Sequence, residues 1–389
     1  LSLGLPQDDY AKVIRQHPAN PSLLFLGMDR GLYASLDRGR TWADIRNNLP
    51  RVSVRGIKIQ PQYNDLIIGT HGVGAWILDN VQPLVELADA MGREVHLFDV
   101  RTATDWESWD RDSNLGRSTF EGENPREGAY IDFYLAEAPG RGSGGVSVRI
   151  SDAQGRLVRE LSDVRAAAGV NRVVWNLTWQ GAEPVPGDGG GGFGGRGGGS
   201  GPPVVPGTYT ATLSAGGQEL SKSFQVRGDP EVTSTQADYQ ARTDAALGGR
   251  DLESRLNGLI GTVMDLQAQV ETLRETIQGK DLPNQAQVTA GIGASLEALG
   301  ALDNDLRRPP PRMGYRQYPR LSEQLGFVTR GIAQAQARPT EGQIQVLGEV
   351  EEGIREAEGR LRSIVNGPVA ELNRLLEGQA RILVGGSGE

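Results

Sequence analysis

One run of residues stands out for chemistry. Ser35-Leu36-Asp37-Arg38-Gly39-Arg40-Thr41-Trp42 sets hydroxyl, carboxylate, glycine and hydroxyl on alternate positions, followed by an indole. A short carboxylate such as Asp37 can accept backbone N–H groups across a tight turn. Gly39 can take a positive φ without steric cost, and Trp42 can cover the resulting hairpin as an apolar plug. The spacing of Ser35, Asp37, Gly39, Thr41 and Trp42 therefore predicts a structural hairpin and no reaction. In the first 80 residues the other acid–base candidates are Asp29, His71 and Asp79, each read more simply as a turn residue, with His71 also a candidate contact side chain.

Other chemistries are excluded by residue type. The chain has no cysteine, so disulfides and thiolate metal sites are out. Its three histidines, His17, His71 and His96, are too few for a His-rich metal site, and no cofactor is expected. Residues 187–201 hold eleven glycines around Asp188, Phe193, Arg196 and Ser200, but no Lys-Ser/Thr follows to make a phosphate loop. That tract reads as a flexible insert, with Phe193 and Arg196 as candidate contact side chains. Met313, Tyr315 and Tyr318, after Pro309-Pro310-Pro311, mark a candidate docking loop.

The net charge is −9 and no basic block occurs, which argues against nucleic acid and against a polybasic membrane patch. No apolar run approaches the ~18 residues of a membrane span. The elements that must position these side chains begin with a repeat. Ile14–Pro21 corresponds to Ile57–Asn64, Leu24–Gly27 to Leu66–Gly69, and Gly31–Tyr33 to Gly74–Trp76. The offset of roughly 42 residues is that of a four-stranded propeller blade. Residue 1 falls inside the repeat, so the missing blades are expected upstream or in another chain, because two blades alone expose sheet edges.

The S-x-D-x-G-x-T-W run and Gly69-Thr70-His71-Gly72-Val73-Gly74-Ala75-Trp76-Ile77-Leu78-Asp79-Asn80 together resemble the end of the bacterial sortilin-like, BNR (Asp-box) repeat β-propeller proteins, which carry a glycosyl-hydrolase-like label. The family writes that phrase G-T-H-G-R-G-x-W-x-L-D-D. Val73 and Asn80 depart from it, so any role of that arginine in relatives is lost here.

From residue 127 the pattern alternates at period two, through Ala129–Leu135, Val146–Ile150, Leu157–Leu161, Gly169–Leu177, Pro206–Leu213 and Ser221–Val226. Strands of this length and spacing predict an immunoglobulin-like sandwich over 127–228 with the glycine insert inside it, preceded by a connector over 81–126. The strings resemble the hook-capping type of immunoglobulin-like domain, and Trp175 is read as core. After Asp229-Pro230 the period becomes helical. Leu252, Leu256, Leu259, Val263, Leu266, Val270, Leu273 and Ile277 form a heptad seam, and Thr340-x-x-Gln343 reads as a capping box. The expectation for 229–389 is an antiparallel helical bundle.

The whole is thus a multidomain β plus α chain: partial Asp-box propeller blades over 1–80, a sandwich and a bundle. Catalysis is weighed against, because no glycosidase constellation assembles from two blades. The expected function is a non-catalytic extracytoplasmic binding or scaffold protein, periplasmic or secreted, as an extrinsic subunit of a larger assembly in one version. A protein partner is expected, with a glycan or peptide as further ligand classes. The alternative is a sialidase-like glycoside hydrolase with its catalytic blades upstream.

Overall fold

The computed structural model describes residues 3–107, 122–140, 145–162, 164–186, 201–279, 284–309, 318–376 and 382–383. The architecture is mixed β and α. The chain forms two compact units, Leu1–Leu177 with Pro206–Glu231, and Thr178–Val205 with Val232–Glu389.

The first unit opens with two antiparallel meanders. Strands β1 (Ala11–Gln16), β2 (Leu24–Met28), β3 (Leu32–Ser35) and β4 (Ala43–Asp44) pair in chain order. Strands β5 (Val54–Gln60), β6 (Asp65–Thr70) and β7 (Ala75–Leu78) do the same. The registers repeat: Leu26 lies opposite Tyr33 in the first sheet, and Ile68 lies opposite Trp76 in the second. In β6 the residues alternate, with Leu66 and Ile68 buried and Ile67 on the other face, as a half-covered strand requires. Phe25, Leu32, Val54, Ile57, Leu66 and Ile68 share one core between the sheets. Gly27 is needed there: a Cβ on it would stand 2.7 Å from Val54 Cγ1.

Helix α1 (Gln82–Ala90) follows, with Pro83 in its first turn where no intrahelical N–H is required. Strands β8 (Val95–Leu97) and β9 (Ala103–Asp105) then join two further sheets. The stretch 81–107 is therefore part of the sheet framework. One sheet has the order β13-β10-β8, from β10 (Ala129–Leu135) and β13 (Gly169–Trp175). The other has the order β12-β11-β14-β15-β9, from β11 (Ser147–Asp152), β12 (Leu157–Leu161), β14 (Gly207–Ala215) and β15 (Gln218–Gly228). Tyr209, Ala211, Leu213 and Ala215 of β14 alternate inward. Trp175 is fully buried, with ring centroids 5.2 Å from Tyr209 and 6.1 Å from Phe224. The β14–β15 hairpin turns on Gly216 and Gly217, both at positive φ, which a two-residue turn of matching twist demands.

The second unit contains α2 (Gln236–Ile277), α3 (Gln285–Leu306), α4 (Leu321–Gln334), α5 (Glu341–Ile364) and α6 (Ala370–Leu375). Thr235 with Asp238 and Thr340 with Gln343 form reciprocal capping boxes at the starts of α2 and α5. Pro368 sits in a π-turn, Val365–Val369, which takes up its missing hydrogen bond. Leu256, Val263, Leu266 and Val270 of α2 pack with Val288, Ile292, Leu299 and Leu302 of α3, Leu325 and Val328 of α4, and Val350 and Ile354 of α5.

Helix α2 starts sixteen residues before its apolar seam. That early stretch buries small and polar groups, and residues 178–186 and 201–205 belong to the same helical unit. Arg242 Nη2 donates to the Val204 carbonyl at 3.1 Å, and Thr243 Oγ1 donates to the Pro203 carbonyl at 3.0 Å. Further along α2, Asn257 Nδ2 donates to the Glu183 carbonyl at 2.8 Å, and Pro186 packs on Gly261. The two arms of the glycine tract are thus held on a helix.

Candidate functional site

The Ser35–Trp42 turn is a closed hydrogen-bond system. Asp37 Oδ1 accepts Ser35 Oγ at 2.8 Å and the N–H groups of Arg40 and Thr41 at 3.0 and 2.9 Å. Its Oδ2 accepts Thr41 Oγ1 at 2.6 Å, and Ser35 Oγ accepts the Gly39 N–H at 2.7 Å. Gly39 has φ +85°, and an added Cβ there would touch the Trp42 ring. Chiefly the Thr41 hydroxyl and then the Thr41 N–H hold the Asp37 carboxyl down to about 2. An ionised carboxylate so fully bonded is a poor proton donor or base. Trp42 packs with Leu5 against Leu26, Met28 and Tyr33.

A second cluster gathers where the second meander meets the β10-containing sheet, within the first unit. Asp79 and Asn80 end the β7 hairpin, Arg101 comes from the segment before β9, Tyr130 and Asp132 from β10, and Arg172 from β13. The pairing of β10 with β13 sets Asp132 opposite Arg172. Arg172 Nε donates to Asp132 Oδ1 at 2.6 Å and Nη2 to Oδ2 at 3.1 Å, a two-pronged ion pair. Asn80 Nδ2 donates to Asp132 Oδ2 at 2.8 Å, and Arg172 Nη2 reaches the Asn80 carbonyl at 3.2 Å. Arg101 Nη1 donates to Asp65 Oδ1 at 3.1 Å and to the Tyr63 carbonyl at 2.9 Å.

Both guanidiniums approach the Tyr130 ring, Arg172 at 4.5 Å and Arg101 at 4.9 Å from its centroid. The negative quadrupole of the ring attracts both cations. Burial raises the Tyr130 hydroxyl above its ordinary pKa, and the Asp79 charge adds to this. Asp79 itself is pushed up, first by burial and then by the charge of Asp65, with Arg101 and Arg172 pulling the other way. Asp79 is half-buried, and no hydrogen bond reaches its carboxylate among the described residues. Arg, Tyr and carboxylate are thus collected here, and both arginines and Asp132 are committed to internal pairs.

Of the residues singled out by sequence, His71 is exposed, and its N–H donates to the Ser53 carbonyl at 2.9 Å. Asp29 pairs with Lys12 at 3.2 Å. Tyr318 is 87% exposed at the approach to α4. Phe193, Arg196, Met313 and Tyr315 lie outside the described residues. Asp79 alone of the sequence candidates enters the Tyr130 cluster. Arg101, Tyr130, Asp132 and Arg172 come from three segments up to 71 positions apart, and only strand pairing brings them together. The one local signal is the alternation of β10, which sets Asp132 on the face of Tyr130 and Tyr134, opposite the apolar face of Ala129, Ile131, Phe133 and Leu135. Among the described residues no group of three His, Cys, Asp or Glu side chains could hold a metal ion.

No family model matches the chain, and no curated protein matches it. Two solved structures of Bacteroides thetaiotaomicron BT4673 are similar to it in part. One is an extracellular domain assigned to a one-component system, at 14% identity over 60% of this chain and with a TM-score of 0.17. The other is the extracellular domain assigned to a hybrid two-component system, at 12% identity over 59% of this chain, again with a TM-score of 0.17. The chain spans 27% of the length of each. Likeness of that degree transfers neither fold nor role. No described helix is long and apolar enough to cross a membrane.

Proposed function

We propose that this chain is a non-catalytic extracytoplasmic binding or scaffold protein. In this reading the two meanders are the last blades of an Asp-box β-propeller, the paired sheets are an immunoglobulin-like sandwich, and the helices form an antiparallel bundle. The blades are completed by a protein partner, whether another chain or further blades of the same protein. The extracytoplasmic placement, periplasmic or secreted, rests on the sequence resemblance.

The observation that carries the binding reading is the β7 edge. The first meander has β4 on its outer side, whereas its repeat ends at β7 with no fourth strand among the described residues. Ile77 on that strand is 60% exposed, and Val73 in the preceding turn is 44% exposed. An open strand edge beside apolar side chains is a template for an added strand. The alternative, a sialidase-like hydrolase, finds little support, since Arg101, Arg172 and Asp132 are engaged in internal ion pairs.

The test combines sedimentation with assay. The purified chain is run in an analytical ultracentrifuge alone and with proteins cross-linked to it in its native host, and is incubated with sialosides and aryl glycosides. Association that is lost on Ala75→Pro or Ile77→Lys, with no turnover, supports the proposal. A stable monomer that hydrolyses a glycoside, indifferent to both substitutions, refutes it.

A further inference from the structure

The helical unit holds a cavity that shares no residue with the candidates above, although Pro319 in its lining follows Tyr318 directly in the chain. It has a volume of about 260 Å³ and opens between the end of α3, the start of α4 and the middle of α5. Its floor is apolar. Leu321 lies over Gly353, where a Cβ would stand 2.6 Å from Leu321 Cδ2, and Ala357 beside it is 4% exposed. Glycine at 353 is what lets Leu321 lie flat there.

The walls are charged, and unevenly satisfied. Asp305 accepts Arg360 Nη1 at 2.7 Å, a full hydrogen bond, but Arg320 Nη1 stays 3.6 Å from the same carboxylate. At that distance Arg320 is ion-paired with Asp305 without a hydrogen bond, and its half-exposed fork keeps donors facing the opening of the cavity. Glu356 lines the same cavity, one turn before Arg360, and makes no ion pair with either arginine. The two arginines and two carboxylates cancel, so a bare anion or cation gains no net attraction. A purely apolar guest would cover Arg320 and Glu356 without giving them partners, at a desolvation cost.

One chemistry satisfies the floor and both walls. We propose that this cavity binds a small zwitterion, an α-amino acid with an apolar side chain. Its carboxylate meets the Arg320 guanidinium, its ammonium meets the Glu356 carboxylate, and its side chain rests on Leu321 and Ala357. The inference is independent of the propeller reading, since it concerns only the helical unit.

Isothermal titration calorimetry of the full chain tests it, with L-leucine, L-phenylalanine and L-methionine as probes. Two truncated analogues accompany them: 4-methylpentanoate, which lacks the ammonium, and 3-methylbutylamine, which lacks the carboxylate. At least one amino acid is expected to bind saturably, with each truncated analogue of leucine weaker by roughly tenfold or more. Glu356→Gln is expected to abolish the preference for leucine over 4-methylpentanoate, and Arg320→Gln that for leucine over the amine. Circular dichroism melts check that both variants fold, and the analogue series on the unaltered protein decides the matter if they do not. Failure of all three amino acids to bind, or equal binding of leucine and 4-methylpentanoate, overturns the proposal.

Discussion

Arg172 covers one face of the Tyr130 ring at 4.5 Å while its Nε and Nη2 grip Asp132 from the neighbouring strand. Asp132 is 3% exposed and Arg172 about a third exposed. The carboxylate therefore depends on that one cation far more than the cation depends on it. Replacing Arg172 by methionine keeps much of the contact with Tyr130 and strands a buried charge. The expected loss is about 3–5 kcal/mol, as for other broken buried pairs. Asp132→Asn in the same background should recover part of it, because the neutral amide no longer needs a counter-charge. Chemical denaturation of the two single variants and the double variant reads both effects.

Asp79 invites the opposite experiment. Burial and the Asp65 charge raise its pKa, so the folded state holds its proton more tightly than the unfolded chain does. For a carboxyl raised on folding, stability is fully present below the unfolded value of 3.8 and declines as pH rises through the folded value. At neutral pH the ionised Asp79 therefore works against folding. Asp79→Asn should raise the melting temperature at pH 7 and leave it nearly unchanged at pH 3. Scanning calorimetry at the two pH values settles the sign.

These two side chains also mark what the sequence could and could not disclose. The hairpin at Asp37 was legible because all its partners lie within six residues, and local spacing is what a sequence displays. The Leu252–Ile277 seam was legible for the same reason, since period 3.5 is written along the chain. The Tyr130 cluster was not. Arg101, Tyr130 and Arg172 are ordinary residues of three separate segments, and their proximity is a product of strand register. The first four turns of α2 were missed because Arg242, Thr243 and Gly249 are buried without being apolar. Their partners include the carbonyls of Pro203 and Val204, which no periodicity announces.

The Asp37 turn gives a pH prediction of the opposite sign. Its carboxyl is held down to about 2 by the Thr41 hydroxyl and N–H, with Ser35 and Arg40 adding to them. A carboxyl lowered on folding contributes stability that is present above the unfolded value of 3.8 and lost as pH falls through about 2. Asp37→Ala should remove that contribution at neutral pH and lower the melting temperature there. The variant and the parent should converge below pH 2. Trp42 fluorescence follows the change, because Trp42 closes the same hairpin.

The arms of the glycine tract supply the last prediction. Trp179 N–H donates to the Pro202 carbonyl at 2.7 Å, and Thr178 bridges Pro203, so the two arms meet as a short antiparallel base. Gly201 sits at that base, and a Cβ there would stand 2.0 Å from the Trp179 carbonyl oxygen. The obstacle is backbone, not the far end of a side chain, so it cannot swing aside. Gly201→Ala must therefore part the arms, and with them the anchor of Val204 on Arg242 and of Pro203 on Thr243. The expected cost is about 1–3 kcal/mol, the range for inserted methyl groups in tightly packed sites. Gly217→Ala in the β14–β15 turn is the comparison. It meets no atom within 4 Å and is penalised only by its positive φ. Amide hydrogen exchange distinguishes the two. The first variant should lose protection at Trp179 and in the early turns of α2, while the second should lose it at the β14–β15 hairpin and leave α2 as it was.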